Sequence, residues 1–125
     1  MLIRIDMSSE IPIYQQIRDQ VVMGIGTGEL ENGELLPSVR VLADSIGVNF
    51  MTVNKAYNLL KQEGFIIVDR RVGAKVKEKS KDGLSQDYWE RMKVLIAEGL
   101  VKSDGIDSLR EGINKIISQI EKGGE

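Results

Sequence analysis

A group of polar side chains near the middle of the chain has the types and the spacing needed to recognise another molecule. At helical spacing one face is shared by Met51, Lys55, Asn58 and Gln62. Thr52 and Asn54 flank that face, which carries no acidic group. Such a face suits a helix in the major groove of DNA, where polar groups reach base edges and cations contact phosphates. An ordinary solvated helix face is the alternative.

The composition removes most of the groups that catalysis requires. The 125 residues include no cysteine and no histidine, so the thiol nucleophile, the commonest general base and the commonest metal ligands are absent. The acidic residues are scattered over predicted solvent faces, and no carboxylate pair is available. We therefore expect no catalytic residue, no metal site, no cofactor and no enzyme.

Charge is distributed unevenly along the chain, although the net charge is only −2. Residues 1–37 carry two basic and six acidic groups, residues 38–79 carry eight and four, and residues 80–125 carry seven and nine. The middle segment is thus net positive by four charges. Basic charge confined to one segment predicts a local anionic partner.

Three helices are predicted in the first half of the chain. The first covers residues 12–26, because proline is favoured in the first turn of a helix and apolar residues follow at helical spacing. Ser38 is a suitable N-cap for a short second helix that Gly47 ends. Asn49 is a suitable N-cap for a third helix, and Gly64 stops it. On a helical wheel of this third helix, Phe50 leans towards the core and Met51 points outwards.

The residues after Gly64 predict a two-stranded hairpin. Segments 65–68 and 72–76 are β-branched, aromatic or alternating, and the polar tip between them contains Arg70 and Arg71. Two helices joined by a tight turn, supported by a first helix and followed by a basic hairpin, predict a winged helix-turn-helix. The expected fold class is mainly α with a small β-hairpin.

Two amphipathic helices are predicted within residues 84–121, with an apolar stripe that must be covered. The stripe, which lies on the second of these helices, could pack on the first helix of the chain and the first tail helix, or on a second copy of the chain. Its a/d heptad spacing favours the second copy in part. We expect residues 1–79 to form the winged domain and residues 80–125 a helical dimerisation tail. The predicted dimer residues are Tyr88, Met92, Leu95, Ile96, Ile106, Leu109, Ile113, Ile116, Ile117 and Ile120.

Short motifs recur in a fixed order between residues 12 and 76. They are P-I-Y-Q-Q-I at 12–17, G-E-L at 28–30, L-P-S-V-R at 36–40, L-A at 42–43, V-N-x-x-T-V-x-K-A-Y at 48–57, L-x-x-E-G-F-I at 60–66, Gly73 and Val76. In this order the segment resembles the DNA-binding domain of GntR-type bacterial transcription regulators. The first and fifth motifs are similar to those of its YtrA-like subfamily, whose members carry only a short helical tail.

The resemblance implies a sequence-specific DNA-binding regulator, a repressor that binds a palindromic double-stranded operator as a homodimer. Arg40 is similar to an arginine that contacts DNA from the second helix, with an ion pair to Asp44 as the alternative role. Thr52 is similar to a threonine that contacts phosphate, and the wing tip approaches the minor groove. The implied DNA-binding residues are Ser38, Arg40, Asn49, Phe50, Met51, Thr52, Asn54, Lys55, Asn58, Arg70, Arg71 and Lys75.

Two departures from the family pattern affect the predicted interface. Phe50 and Met51 stand where relatives commonly have proline or arginine and then asparagine, so recognition by Met51 would be apolar, for example against a thymine methyl group. Arg71 stands where the wing usually has its first glycine, which puts the wing geometry in question.

The remaining expectations concern partners and location. Charges at positions 4 and 6 argue against a signal peptide, and no apolar run could span a bilayer; we expect a cytoplasmic protein without a membrane partner. The short tail leaves room for a small-molecule effector only between subunits or against the winged domain, and the sequence does not identify one. The alternative function is a winged-helix module that binds another protein.

Overall fold

The computed structural model describes residues 2–123, and within them the chain forms helices and one hairpin. The elements are α1 Ile13–Thr27, α2 Val39–Ile46, α3 Phe50–Gln62, β1 Ile66–Asp69, β2 Gly73–Val76, α4 Gln86–Lys102 and α5 Ile106–Glu121. They confirm the predicted class, mainly α with a small β-hairpin. The chain divides into two compact units, Met1–Lys79 and Ser80–Glu125.

Local chemistry sets the ends of α2 and α3, as predicted. The Ser38 hydroxyl oxygen accepts a hydrogen bond from the Val41 N–H at 3.1 Å, and the Asn49 side-chain oxygen accepts one from the Met51 N–H at 2.7 Å. Gly47 ends α2 with φ +70°, a left-handed conformation that glycine adopts without strain. These three residues therefore produce the tight turn between the two helices.

The core of the first unit lies where α1, α3 and the hairpin meet. Its fully buried side chains include Ile17 of α1, Leu60 of α3 and Ile66 of β1. The Tyr57 hydroxyl donates to the Pro37 carbonyl oxygen at 2.7 Å and so joins α3 to the residues before α2. Burial raises the pKa of Tyr57 to about 12, because the phenolate form loses its hydration.

The segment before α1 packs on that helix, an arrangement that no pattern in the sequence predicts. The buried Gln16 amide donates to the carbonyl oxygens of Asp6 and Ile11, and its own oxygen accepts from the Asp6 N–H. Gln20 exchanges two similar hydrogen bonds with the Arg4 backbone. The side-chain amides of the two glutamines therefore satisfy backbone N–H and C=O groups of this segment, as the backbone of a neighbouring β-strand would.

The hairpin differs from the prediction by about one residue at its start. Its strands are antiparallel, and Asp69 pairs with Gly73 across the turn. The Asp69 carboxylate accepts a hydrogen bond from the Arg71 N–H at 2.7 Å, and Gly73 takes φ +96°. Among the described residues only glycines have positive φ. Arg71 is therefore accommodated without strain, because Gly73 supplies the conformation that the turn requires.

The second unit is a helical hairpin. Ser85 caps α4, so this helix begins at Gln86 and not at Leu84, where the predicted helical segment starts. Gly99 lets α5 approach α4, since a Cβ atom at Gly99 would lie 2.8 Å from Leu109 Cδ1. Within the described chain, no helix is both long enough and apolar enough to cross a bilayer.

Candidate nucleic-acid interface

The turn between α2 and α3 exposes the N-terminal end of α3. Asn49 and Ser38 both serve as helix caps, as predicted, and both remain accessible. Capping occupies the side-chain oxygen of each as an acceptor, so the Asn49 amide group and the Ser38 hydroxyl proton remain available as donors. The end of a helix also concentrates partial positive charge, which favours a phosphate.

Arg40 lies beside this end of α3. Its guanidinium carbon is 5.8 Å from the centroid of the Phe50 ring, a distance at which the cation is attracted to the ring face. The ion pairs found among the described residues are those of Arg18 and Arg91. Arg40 therefore makes no pair with Asp44, and the alternative structural role considered for it is wrong.

Phe50 is 44% exposed and does not lean into the core, so that prediction is also wrong. Phe50 is the first residue of α3, where the chain has just turned away from α2, and its ring meets the Arg40 side chain. Met51 is 67% exposed, as its outward position predicts. No sequence signal links Phe50 to Arg40, because they belong to different helices.

The remaining predicted residues of α3 differ in accessibility. Asn58 is exposed, whereas Thr52 and Asn54 are partly buried. Lys55 is exposed, but its ammonium nitrogen lies 4.1 Å from the centroid of the Tyr14 ring of α1. The structure thus brings Arg40 to the end of α3 and directs Lys55 towards α1.

The basic residues of the wing are also accessible. Arg70 and Arg71 are exposed in the turn between β1 and β2. Lys75 is partly buried within β2, where it pairs with Ile67 and also bridges to Leu35. Across residues 2–123 no cluster of acidic side chains is arranged to hold a metal ion.

A helix-turn-helix with a polar, non-acidic second helix and a basic hairpin defines a winged helix DNA-binding domain. The chain belongs to the GntR family: residues 13–76 match the family described as "Bacterial regulatory proteins, gntR family". It is a DNA-binding transcriptional regulator. Family membership decides against the alternative of a protein-interaction module and against an enzyme.

Relatives extend this similarity along the whole chain. The HTH-type transcriptional repressor YtrA of Bacillus subtilis is 36% identical over 99% of this chain and 98% of its own length. A solved structure of YtrA from Sulfolobus acidocaldarius, a GntR-family transcription factor, is 42% identical with a TM-score of 0.69 and covers 82% of this chain and 100% of its own. A transcriptional antiterminator from Listeria monocytogenes is 27% identical with a TM-score of 0.84, over 100% of this chain and 96% of its own.

Proposed function

We propose that the protein is a cytoplasmic repressor that binds a palindromic operator as a homodimer, with the dimer formed by α4 and α5. The observation that carries the dimer is the accessibility of the apolar stripe. In the part of the chain that the structure describes, neither α4 nor α5 contains a buried residue. The similarity to a relative named a repressor supports the direction of regulation.

The predicted dimer residues form two groups by exposure. The exposed ones are Leu95, Ile96, Ile106, Ile116 and Ile117, and the partly buried ones are Tyr88, Met92, Leu109, Ile113 and Ile120. An open apolar cavity of about 230 Å³ between α4 and α5 is lined by several of these residues. Contiguous apolar surface on a helical hairpin favours association with another copy.

DNA recognition is proposed for the residues around the end of α3 and the wing. Arg40 and Met51 are exposed at the N-terminal end of α3, Thr52 lies in the first turn of that helix, and Asn58 is exposed further along it. Two such helices in a two-fold dimer would read half-sites about 10–10.5 bp apart, or a multiple of that distance. Arg70 and Arg71 would extend each contact to the flanking minor groove.

Selection of binding sequences from random duplex DNA with the full chain tests this proposal. We expect an inverted repeat with that half-site spacing and a dimer in analytical ultracentrifugation. The logarithm of the affinity should fall linearly with the logarithm of salt, by ~0.9 for each phosphate contacted. Failure to enrich any sequence over bulk DNA at any salt concentration would overturn operator recognition. Enrichment of a single, non-repeated site by a monomer would overturn the dimer.

A further inference from the structure

The first turn of α3 exposes two consecutive apolar side chains, Phe50 and Met51. Neither belongs to the core or to the apolar residues packed against it. The N-terminal residues of a recognition helix are the ones that contact base edges in the major groove. These two side chains therefore occupy the position at which hydrogen-bonding residues would read bases, but the phenyl ring of Phe50 has no donor or acceptor group and the thioether sulfur of Met51 is only a weak acceptor.

The surrounding groups restrict what this apolar pair can contact. Arg40 lies over one face of the Phe50 ring, and the Asn49 side-chain oxygen is already bonded to the Met51 N–H. In the major groove the C5-methyl group of thymine is the apolar feature of the base edges, and the other recognition groups are hydrogen-bond donors and acceptors. An apolar side chain facing any other base edge would leave those groups unsatisfied.

We propose that Phe50 and Met51 determine sequence specificity by contacting thymine methyl groups, and that Phe50 also positions Arg40 beside them. The inference rests on the proposed operator recognition, because it requires α3 to enter the major groove. Phe50 thus has two separable roles. Its bulk contributes apolar contact, and its ring face holds a guanidinium group that contacts the adjacent part of the operator.

The test replaces each thymine of the selected operator, one at a time, by deoxyuridine, which removes the methyl group and leaves base pairing intact. Burial of one such group is worth about 0.8 kcal/mol, which converts to about fourfold in affinity. We expect at least one thymine in each half-site whose replacement weakens the wild-type full-length protein by about fourfold. Fluorescence anisotropy with wild type, Met51→Ala and Phe50→Ala measures these ratios.

Met7→Ala is the matched control, because Met7 is an exposed methionine outside α3. The measured quantity is the affinity for the thymine operator divided by the affinity for the uracil-containing operator. We expect Met7→Ala to keep the wild-type value of this ratio, whereas Met51→Ala or Phe50→Ala brings it close to one. Phe50→Leu preserves apolar bulk and removes the ring face. It should keep the thymine preference but lose about two- to fivefold in affinity, an effect that is absent when Arg40 is already alanine.

Two results would overturn the inference while leaving operator recognition in place. One is that wild type binds every uracil-containing operator as tightly as the thymine operator. The other is that the ratio persists unchanged in both Met51→Ala and Phe50→Ala. A selection that yields no preferred sequence overturns operator recognition and this inference together. Thermal melting followed by circular dichroism checks that each variant is folded.

Discussion

The unit of residues 2–79 buries side chains from α1, α2, α3 and the hairpin in one core, whereas the described part of the second unit buries none in its two helices. In the first unit, α3 is covered by α1, α2 and β1, so its inner side chains are enclosed. Two helices alone cannot enclose a side chain in this way. The comparison indicates that the first unit is stabilised by its own chain, and the exposed apolar surface of the second unit is the basis for the proposed dimer.

Ile116→Glu tests this difference with the largest expected effect. It would place a carboxylate in the proposed apolar seam, where burial without a partner is costly. We expect a monomer in analytical ultracentrifugation and a loss of about 10²–10⁴-fold in operator affinity, because the second half-site contact is no longer intramolecular. Circular dichroism should show that the winged unit remains folded.

Ser118→Glu is the control for that variant, because it adds the same charge to an exposed polar position of α5. We expect it to remain a dimer. If Ile116→Glu is itself a tight dimer at low micromolar concentration, α5 is not the interface and α4 becomes the candidate.

Leu60→Ala tests the other side of the comparison. Leu60 is 0% exposed, and truncation of a fully buried leucine costs about 2–5 kcal/mol in free energy of unfolding. The matched substitution is Leu95→Ala in α4, made in the Ile116→Glu background so that dimer contacts do not contribute. For an exposed residue we expect a change within about 0.5 kcal/mol. Urea denaturation measures both, and equal losses would refute the contrast between the two units.

Arg40→Ala should affect binding and leave folding unchanged, since Arg40 is exposed. A bidentate contact with guanine predicts a loss of about 1–3 kcal/mol in operator affinity and a relaxed preference at one symmetric pair of positions. A phosphate contact would weaken all sequences alike, and we expect that uniform effect for Thr52→Ala. Arg4→Ala is the control, because the hydrogen bonds of Arg4 to Gln20 use backbone atoms. Unchanged affinity of Arg40→Ala would remove Arg40 from the interface.

Tyr57→Phe has the smallest expected effect and tests one hydrogen bond within the first unit. It removes the hydrogen bond to the Pro37 carbonyl, so we expect a loss of about 1 kcal/mol in the free energy of unfolding at pH 7. The pKa of Tyr57 is raised from 10.0 to about 12 in the folded protein. The folded state holds the phenol proton more tightly than the unfolded state does. The contribution of protonated Tyr57 to the free energy of unfolding is therefore complete below pH 10 and is lost as pH rises towards 12. The phenylalanine variant lacks this loss.

Chemical denaturation of both proteins between pH 7 and pH 12 measures the effect of Tyr57. We expect the stability difference between wild type and Tyr57→Phe to shrink above pH 10. A difference that stays constant over this range would show that the hydroxyl does not titrate as its burial implies.

Most of the fold could be predicted because its signals are local. The caps at Ser38 and Asn49 and the glycine at position 47 act on backbone groups within a few residues, so the ends of α2 and α3 follow from the sequence. The wing was predicted from alternation and a polar turn. The start of each strand differs from the prediction by one residue, because the pairing of Asp69 with Gly73 across the hairpin selects where the turn begins.

The contacts that could not be predicted join residues from separate elements. A helical wheel treats α3 as an isolated cylinder and assigns Phe50 to the core, but Phe50 lies at the exposed start of the helix, and burial in α3 begins at Val53. Two other contacts depend in the same way on how α1 lies against its neighbours. One is the contact of the Lys55 ammonium group with the Tyr14 ring, and the other is the set of hydrogen bonds from Gln16 to the segment before α1.

The sequence by itself determined the element order, the capped turn, the basic middle segment and the apolar stripe of the tail. Each of these depends on residue type and spacing within one segment. Only the tertiary structure decided that Phe50 is exposed beneath Arg40, that Arg40 is not paired with Asp44, and that no side chain of α4 or α5 in the described chain is fully buried. Burial and long-range contacts depend on which elements meet in space, and no single segment contains that information.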